Sequence, residues 1–301
     1  MAERPPRVYV ALALGVISFA LAPILVRLAG DVPALAIAVW RTGIAAAVLL
    51  VPAAARVIPD IRQLPLREKS LIGVAGVFLG LHFIAWIESL SHTTVASASV
   101  FVTSSPVILA GLGYVVLGER LSSTTVGGIL VAVAGAVLIG WADAGAVTLG
   151  QGALWGNTLA LAGALLVSVY LLIGRVVRQE VSWLAYIAPL YATAAVTALV
   201  MAVIQDVPLL GYSWSFYGLC AGLALGPQLL GHGSFNYALQ YMPAAIVGML
   251  ALLEPVGASV LAYALFGEVP PGLSLLGMVV VLAGVSVVVW RRNRPSGNPS
   301  E

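Results

Sequence analysis

The chain has 301 residues and a net charge of +2, and 61% of its residues are hydrophobic while only 9% are charged. Soluble domains carry roughly 25% charged residues, so this composition excludes a protein with a water-facing surface all round. The apolar runs are continuous and about 20 residues long, which favours membrane-spanning helices over the alternating strands of a barrel.

Polar breaks divide the apolar runs into ten predicted membrane-spanning helices. In chain order they cover 7–29, 33–53, 70–90, 93–117, 123–141, 152–175, 182–204, 214–239, 243–266 and 271–290. The first run resembles a signal sequence, but Pro23 directly follows the small residues that cleavage would use, so we expect a retained helix. The break at 54–69 is too short for a domain, and we expect the tail at 291–301 to be disordered and cytoplasmic.

The distribution of basic residues predicts the orientation of these helices. If the N-terminus is cytoplasmic, ten spans return the C-terminus to the cytoplasm, and every lysine and arginine except Arg27 and Arg41 falls on the cytoplasmic side. The predicted exterior loops carry the acids Asp31, Asp143, Asp206 and Glu268. We therefore expect a multi-pass protein of the cell membrane, which in a bacterium is the inner membrane.

The sequence repeats itself with an offset of 149 residues and without gaps. The matched positions include rare residue types: Pro106 and Pro255, Tyr114 and Tyr263, Gly118-Glu119 and Gly267-Glu268, and Trp141 and Trp290. The repeats are predicted to cover 8–141 and 152–290. Because each contains five spans, an odd number, the second must enter the membrane from the opposite side. Inverted repeats of this kind occur in secondary transporters, although a duplicated scaffold is an alternative.

Several segments resemble the EamA domain of the drug/metabolite transporter superfamily. They are Ser-Phe-Ala-Leu-Ala-Pro-Ile-Leu-Val-Arg at 18–27, Trp40-Arg41, and the stretch from Ser89-Leu90 through Thr94-Val95-Ala96 and Pro106 to Leu117-Gly118-Glu119-Arg120. The second half repeats this pattern in Ala238-Leu239, Pro243-Ala244-Ala245, Glu254-Pro255 and Phe266-Gly267-Glu268.

The resemblance covers about residues 8 to 290 and has definite implications. It implies a ten-helix exporter with a central cavity lined by both halves, and with the fifth and tenth helices at the periphery. It also implies a substrate among amino acids, other metabolites or toxic organic compounds, without identifying which.

Three ionisable residues lie near the middle of predicted spans, namely Arg41, His82 and Glu254. A charge at that depth costs about 2.5–3.5 kcal/mol, so such residues usually face a cavity or a partner. Arg41 is suited to a solute carboxylate, or pairs with Glu254 or Glu88. Glu254 is a candidate for binding a proton or a cationic group. His82 either titrates or makes a helix contact.

Other polar and aromatic residues extend the candidate site. Gln228, His232 and Asn236 follow one another at intervals of four and predict a polar stripe, which either lines a pathway or bonds neighbouring helices. Trp86 shares a helix face with His82. Ser104 and Ser105 either line a cavity or allow close helix approach.

Four prolines, at Pro23, Pro106, Pro227 and Pro255, are predicted to kink their helices. Such kinks would give each half places at which to bend during transport.

The sequence contains no phosphate-binding P-loop, no HExxH motif, no paired cysteines and no serine-centred catalytic constellation. We therefore expect no enzyme activity, no cofactor, no metal site and no nucleic-acid partner. The leading hypothesis is a secondary transporter that exports a small solute by alternating access, with protons as a candidate coupling ion. A nucleotide-sugar or phosphate-ester exchanger and a non-transporting membrane scaffold are the alternatives, and the oligomeric state is left open.

Overall fold

The computed structural model describes residues 5–93, 98, 101–143, 151–267 and 269–292, and every regular element in those ranges is helical. The elements in chain order are α1 (Pro6–Ala29), α2 (Ala34–Gln63), α3 (Leu66–His92), α4 (Ser105–Leu117), α5 (Ser123–Asp143), α6 (Gln151–Val177), α7 (Trp183–Ile204), α8 (Trp214–Leu223), a π-helical segment (Ala224–His232), α9 (Gly233–Ala238), α10 (Ala244–Leu250), a 3₁₀ turn (Ala251–Leu253), α11 (Glu254–Phe266) and α12 (Gly272–Arg292).

The helical membrane-protein class predicted from the sequence is confirmed. Within the described ranges, eight helices are long and apolar enough to cross a membrane, with α10, the 3₁₀ turn and α11 together forming one of them. The other two predicted spans are the fourth, of which α4 is the described helix, and the eighth, which the π-helical segment interrupts. The number of spans and the side on which the termini lie remain predictions.

Helix ends recur in the two halves at the predicted offset of 149 residues. α5 at Ser123–Asp143 corresponds to α12 at Gly272–Arg292, and α4 and α11 both have 13 residues. Both of the latter helices end at a left-handed glycine, Gly118 with φ 65° and Gly267 with φ 69°, a conformation that favours a residue without Cβ.

The packing of the helices is reciprocal between the halves. α3 packs against α6, and its counterpart, the rod formed by α8, the π-helical segment and α9, packs against α1. α2 contacts its own counterpart α7, α4 contacts α10, and α5 contacts α12. Such an exchange of partners is expected when two similar halves are related by a pseudo-twofold axis.

α5 and α12 pack mainly against each other, and glycines allow their backbones to approach closely. A Cβ added at Gly135 would lie 2.5 Å from the Val281 amide nitrogen, and one at Gly284 would lie 2.6 Å from the Ala132 amide nitrogen. Only a residue without a side chain fits at these positions.

Several predicted boundaries differ from the structure, among them those of α2 and α12. α2 continues to Gln63 instead of ending at 53, with Pro52 and Pro59 inside the helix. Val57 is buried while its neighbours are exposed, so one packed face continues through the proline-containing stretch. α12 reaches Arg292 rather than residue 290, and the rest of the predicted tail, the exterior acid Glu268 and the segment 94–97 lie outside the described residues.

Candidate functional site

A cavity of about 70 Å³ lies among helices of both halves. Its volume holds several water molecules at 10–15 Å³ each. The side chains that line it are those of Phe19, Ala22, Arg41, His82, Phe83, Trp86, Val102, Ser105, Val167, Tyr170, Leu171, Pro227, His232, Phe235, Gly248, Ala251 and Glu254.

Many lining residues form pairs that are 149 positions apart. These pairs are Ala22 with Leu171, Phe83 with His232, Trp86 with Phe235, Val102 with Ala251, and Ser105 with Glu254. Equivalent positions of two related halves can line one cavity only where the halves face each other. The cavity therefore lies at the interface between the repeats.

Arg41 is held in α2 at the wall of this cavity and is only 1% exposed. Its Nε donates a hydrogen bond to Gln228 Oε1 at 3.2 Å, and its Cζ lies 3.9 Å from the centroid of the Phe83 ring. A cation over an aromatic face gains about 2 kcal/mol when both are desolvated. These two contacts fix the guanidinium and account for how a charge is accommodated at this depth.

Glu254 begins α11 directly after the 3₁₀ turn at Ala251–Leu253, inside one continuous helical rod. Its side chain lines the cavity, and no described residue donates a hydrogen bond to it or forms an ion pair with it within 4.0 Å. The predicted alternative of a direct ion pair with Arg41 is therefore not formed. Glu88, the other proposed partner of Arg41, instead lies 3.0 Å from His92 Nε2.

Two histidines, His82 and His232, line the cavity in an edge-to-face arrangement, with ring centroids 6.2 Å apart. His82 Nδ1 donates to the Gly163 carbonyl at 2.9 Å, which leaves its Nε2 as an acceptor in the neutral ring. His232 Nδ1 is hydrogen-bonded to the hydroxyl of Tyr170 at 2.9 Å. In the described part of the chain no group of three His, Cys, Asp or Glu side chains is placed to bind a metal.

The polar stripe predicted on the eighth span lines the cavity with only one of its three residues. Only His232 reaches the lining, while Gln228 bonds Arg41, and Asn236 is fully buried with neither amide atom hydrogen-bonded to a described residue. The i, i+4 spacing assumed one α-helix, but residues 224–232 form a π-helical segment, so the helix type changes between Gln228 and Asn236.

The two serines before Pro106 occupy different environments. Ser105 lines the cavity, whereas the hydroxyl of Ser104 donates to the Phe101 carbonyl at 2.6 Å and is not among the lining residues. A smaller cavity of about 30 Å³ adjoins the first and shares Trp86, Ser105 and Glu254 with it. Glu254 therefore lines both cavities.

Three of the four singled-out prolines coincide with interruptions of the helices. Pro106 and Pro255 lie in the first turns of α4 and α11, and Pro227 lies in the π-helical segment. Pro23 is inside α1, which continues unbroken.

Several lining residues carried no signal in the sequence. Val102, Leu171 and Phe235 are apolar residues of predicted spans, where residue type alone does not distinguish a lining side chain from a lipid-facing one. The 149-residue offset was the signal available, because it predicts that a residue facing the cavity in one half has a lining counterpart in the other.

Comparisons with known proteins agree with this arrangement. The model of the EamA-like transporter family matches residues 6–141 and 154–290. The chain is 29% identical over 252 residues to a Streptantibioticus cattleyicolor protein named "Probable terminal-alkyne amino-acid exporter", which covers 80% of this chain and 79% of that protein. It is 24% identical over 232 residues to an uncharacterized transporter of Bacillus subtilis, covering 75% of this chain and 68% of the relative. A crystal structure of another protein, 21% identical, superimposes with a TM-score of 0.79 over 97% of this chain and 100% of that one, which shows the fold alone.

Proposed function

We propose that this chain, which belongs to the EamA-like transporter family, is a secondary transporter that exports small organic solutes through the cavity between its repeats. The observation that carries the proposal is the position of that cavity. It is enclosed by paired residues of the two halves, and it contains Arg41 and Glu254, ionisable groups that are costly in a membrane without a function.

Alternating access provides the mechanism that this geometry supports best. Solutes bind near the middle of the bilayer, at the interface of the repeats, and one half then rocks against the other. The interruptions at Pro106, Pro227 and Pro255 adjoin the cavity and are places where a rod can bend. A solute larger than a few water molecules needs such a movement, because the described cavity is small.

We assign the candidate roles within the site by position. Arg41, Glu254, His82, His232 and Trp86 contact the solute or the coupling ion from the cavity wall. Gln228 orients Arg41. Asn236 and Ser104 support the helices behind the wall.

The direction of transport rests on resemblance. The relative with 29% identity is named as an exporter of an amino acid, and the family model is that of transporters. The alternative of a nucleotide-sugar or phosphate-ester exchanger is disfavoured, because such anions need several bases and Arg41 is the one arginine or lysine among the described lining residues.

Solute flux in reconstituted vesicles tests the proposal. The purified chain is reconstituted, and counterflow of a labelled metabolite panel is measured against vesicles without protein. Flux of at least one solute, lost when a lining residue is enlarged by Ala251→Trp, supports the transporter, whereas absence of flux across the panel supports a scaffold. Gly43→Trp is the matched control, because a Cβ at Gly43 meets nothing within 4 Å.

A further inference from the structure

We infer that a lateral groove, formed by α1, α10, the 3₁₀ turn and α12, binds one anionic phospholipid, with an acyl chain in the groove and the headgroup at the arginines beside it. The lateral groove shares no lining residue with the cavity between the repeats. The inference goes beyond the proposed transport function, because lipid binding is measurable whether or not a solute moves.

The lateral groove has the lining of a hydrocarbon site. Its volume is about 420 Å³, against about 70 Å³ for the central cavity, and every lining side chain except that of Tyr9 is fully apolar or a methionine. Leu12 and Ile246 are buried at its floor, whereas Ile17 and Val289 are exposed at its rim. A concave surface with an open rim admits a flexible chain, which gains dispersion contacts along the floor.

The lateral groove lies at the end of the bundle where both ends of the chain lie. It is lined by residues 9–17 near the start of α1 and by residues 285–289 near the end of α12. Tyr9 lies at this end, and Trp290, the next residue of α12, is 63% exposed. Tyrosine and tryptophan are enriched at the level of the lipid headgroups. The open end of the groove is therefore placed where a headgroup lies.

Charge at this end selects the class of lipid. Lipid tails are as apolar as the groove, so the lining alone does not distinguish one phospholipid from another. Arg7 is exposed two residues before Tyr9 and donates no hydrogen bond to another described residue. Arg291 and Arg292 end α12 directly after Trp290. Arginine pairs with phosphate through two parallel hydrogen bonds, and basic clusters at the end of a membrane helix attract anionic lipids.

The sequence around this end is basic. Residues 5–17 and 278–292 contain no acid, and the chain ends 1–7 and 291–301 together hold five arginines and two glutamates. The internal repeat shows that the charge is not a feature of the scaffold, since the apolar wall recurs and the arginines do not. The counterparts of residues 12, 7, 291 and 292 at 149 positions are Leu161, Gly156, Ala142 and Asp143.

A lipid chain in the lateral groove contacts the wall of the central cavity from behind. Leu250 and Leu253 line the groove, whereas Ala251 and Glu254, which alternate with them, line the cavity. The 3₁₀ turn at this point is thus the partition between the two spaces. A bound lipid therefore supports the segment that carries Glu254.

Native mass spectrometry of the purified full chain tests the inference. The protein is titrated with phosphatidylglycerol, which is anionic, and with phosphatidylcholine of the same acyl chains, which has no net charge. We expect one molecule of phosphatidylglycerol to bind at least about fivefold more tightly than phosphatidylcholine, since a basic residue near the surface contributes about that factor.

Two pairs of variants locate the lipid. Ala13→Trp places an indole in the lateral groove and is expected to weaken binding about tenfold, or about 1.4 kcal/mol, while Leu14→Trp, which changes an exposed neighbour outside the lining, leaves binding unchanged. Arg7→Gln is expected to lower the preference for phosphatidylglycerol about fivefold. Its control is Arg62→Gln, which changes an exposed arginine at the same end of the bundle and keeps the preference.

Several outcomes would overturn the lipid site. Equal affinities for the two lipids do so, and so does unchanged binding in Ala13→Trp. A dimer that Ala13→Trp dissociates would show that a second copy of the chain covers the lateral groove instead. Competition by glycerol phosphate as strong as that by phosphatidylglycerol would place the site at the arginines alone. Arg7→Gln changes an exposed side chain and keeps the test decisive if Ala13→Trp does not fold. None of these results depends on solute flux, so either proposal can fail without the other.

Discussion

The contact between α5 and α12 is so close that an added methyl group is expected to lower the stability of the protein by a measurable amount. A Cβ at Gly135 would lie 2.5 Å from the Val281 amide nitrogen and 2.7 Å from the Gly277 carbonyl oxygen. Both neighbours are backbone atoms, and non-bonded contacts are optimal at about 3.5–4.0 Å, so Gly135→Ala must separate the helices by roughly 1 Å. Overpacking of this kind costs about 1–3 kcal/mol.

The control for this variant lies in the same helix. A Cβ at Gly127 meets nothing within 4 Å, so Gly127→Ala has no contact cost. Replacing glycine by alanine also favours a helix by about 1 kcal/mol at an interior position. That gain applies to both variants. The difference in stability between Gly135→Ala and Gly127→Ala therefore measures the cost of the close helix contact alone.

The single cysteine provides the assay. Cys220 is fully buried, so a fluorogenic maleimide reacts with it only when the protein unfolds. At about 2–4 °C for each kcal/mol, we expect Gly135→Ala to unfold about 2–12 °C below Gly127→Ala. The equivalent change at Gly284, whose Cβ would lie 2.7 Å from the Gly128 carbonyl oxygen, is expected to behave like Gly135→Ala. Equal unfolding temperatures for the Gly135 and Gly127 variants would refute the reasoning.

The remaining predictions concern the site and the topology. Tyr170→Phe removes the 2.9 Å hydrogen bond to His232 and is expected to destabilise the protein by about 0.5–1.5 kcal/mol, measured by the same unfolding assay, with no effect on unfolding counting against that bond. Single cysteines at Ser122 and Pro271, 149 positions apart and introduced on a background without the native cysteine, are expected to react with impermeant maleimide from opposite sides of the membrane; labelling from the same side would contradict the inverted repeat. If Glu254 couples transport to protons, its replacement by glutamine flattens the pH dependence of flux, and an unchanged pH profile dismisses the coupling role.

The helices could be predicted from the sequence because a long, continuous apolar run in a bilayer satisfies its backbone hydrogen bonds by forming a helix. The offset of 149 residues also predicted which helix ends correspond. The extension of α2 to Gln63 was not predicted, because the stretch 54–69, which carries Pro59 and Pro65, indicated a break. A proline removes one hydrogen bond, but whether the helix continues depends on tertiary packing, such as that of Val57.

The candidate site could be predicted only in part. Arg41, His82 and Glu254 were detectable because an ionisable residue is conspicuous in an apolar span. Whether Arg41 and Glu254 form an ion pair could not be predicted from the sequence, since it depends on the relative rotation of α2 and α11. The position of Asn236 outside the lining was not predicted, because the change from π-helix to α-helix before it is not evident from side-chain spacing.

The symmetry of the fold and the asymmetry of the cavity have separate physical roles. In the proposed alternating-access mechanism, paired helices such as α5 and α12 would support movement of one half against the other, and two similar halves would give the two opposed states similar energies. The charges interrupt this symmetry, because Arg41 has Leu190 as its counterpart and Glu254 has Ser105. Changes at the glycine contacts are therefore expected to alter stability or the flux of all solutes alike, whereas changes at Arg41 and Glu254 alter which solute is carried. A glycine variant that changed the relative flux of two transported solutes would contradict this division.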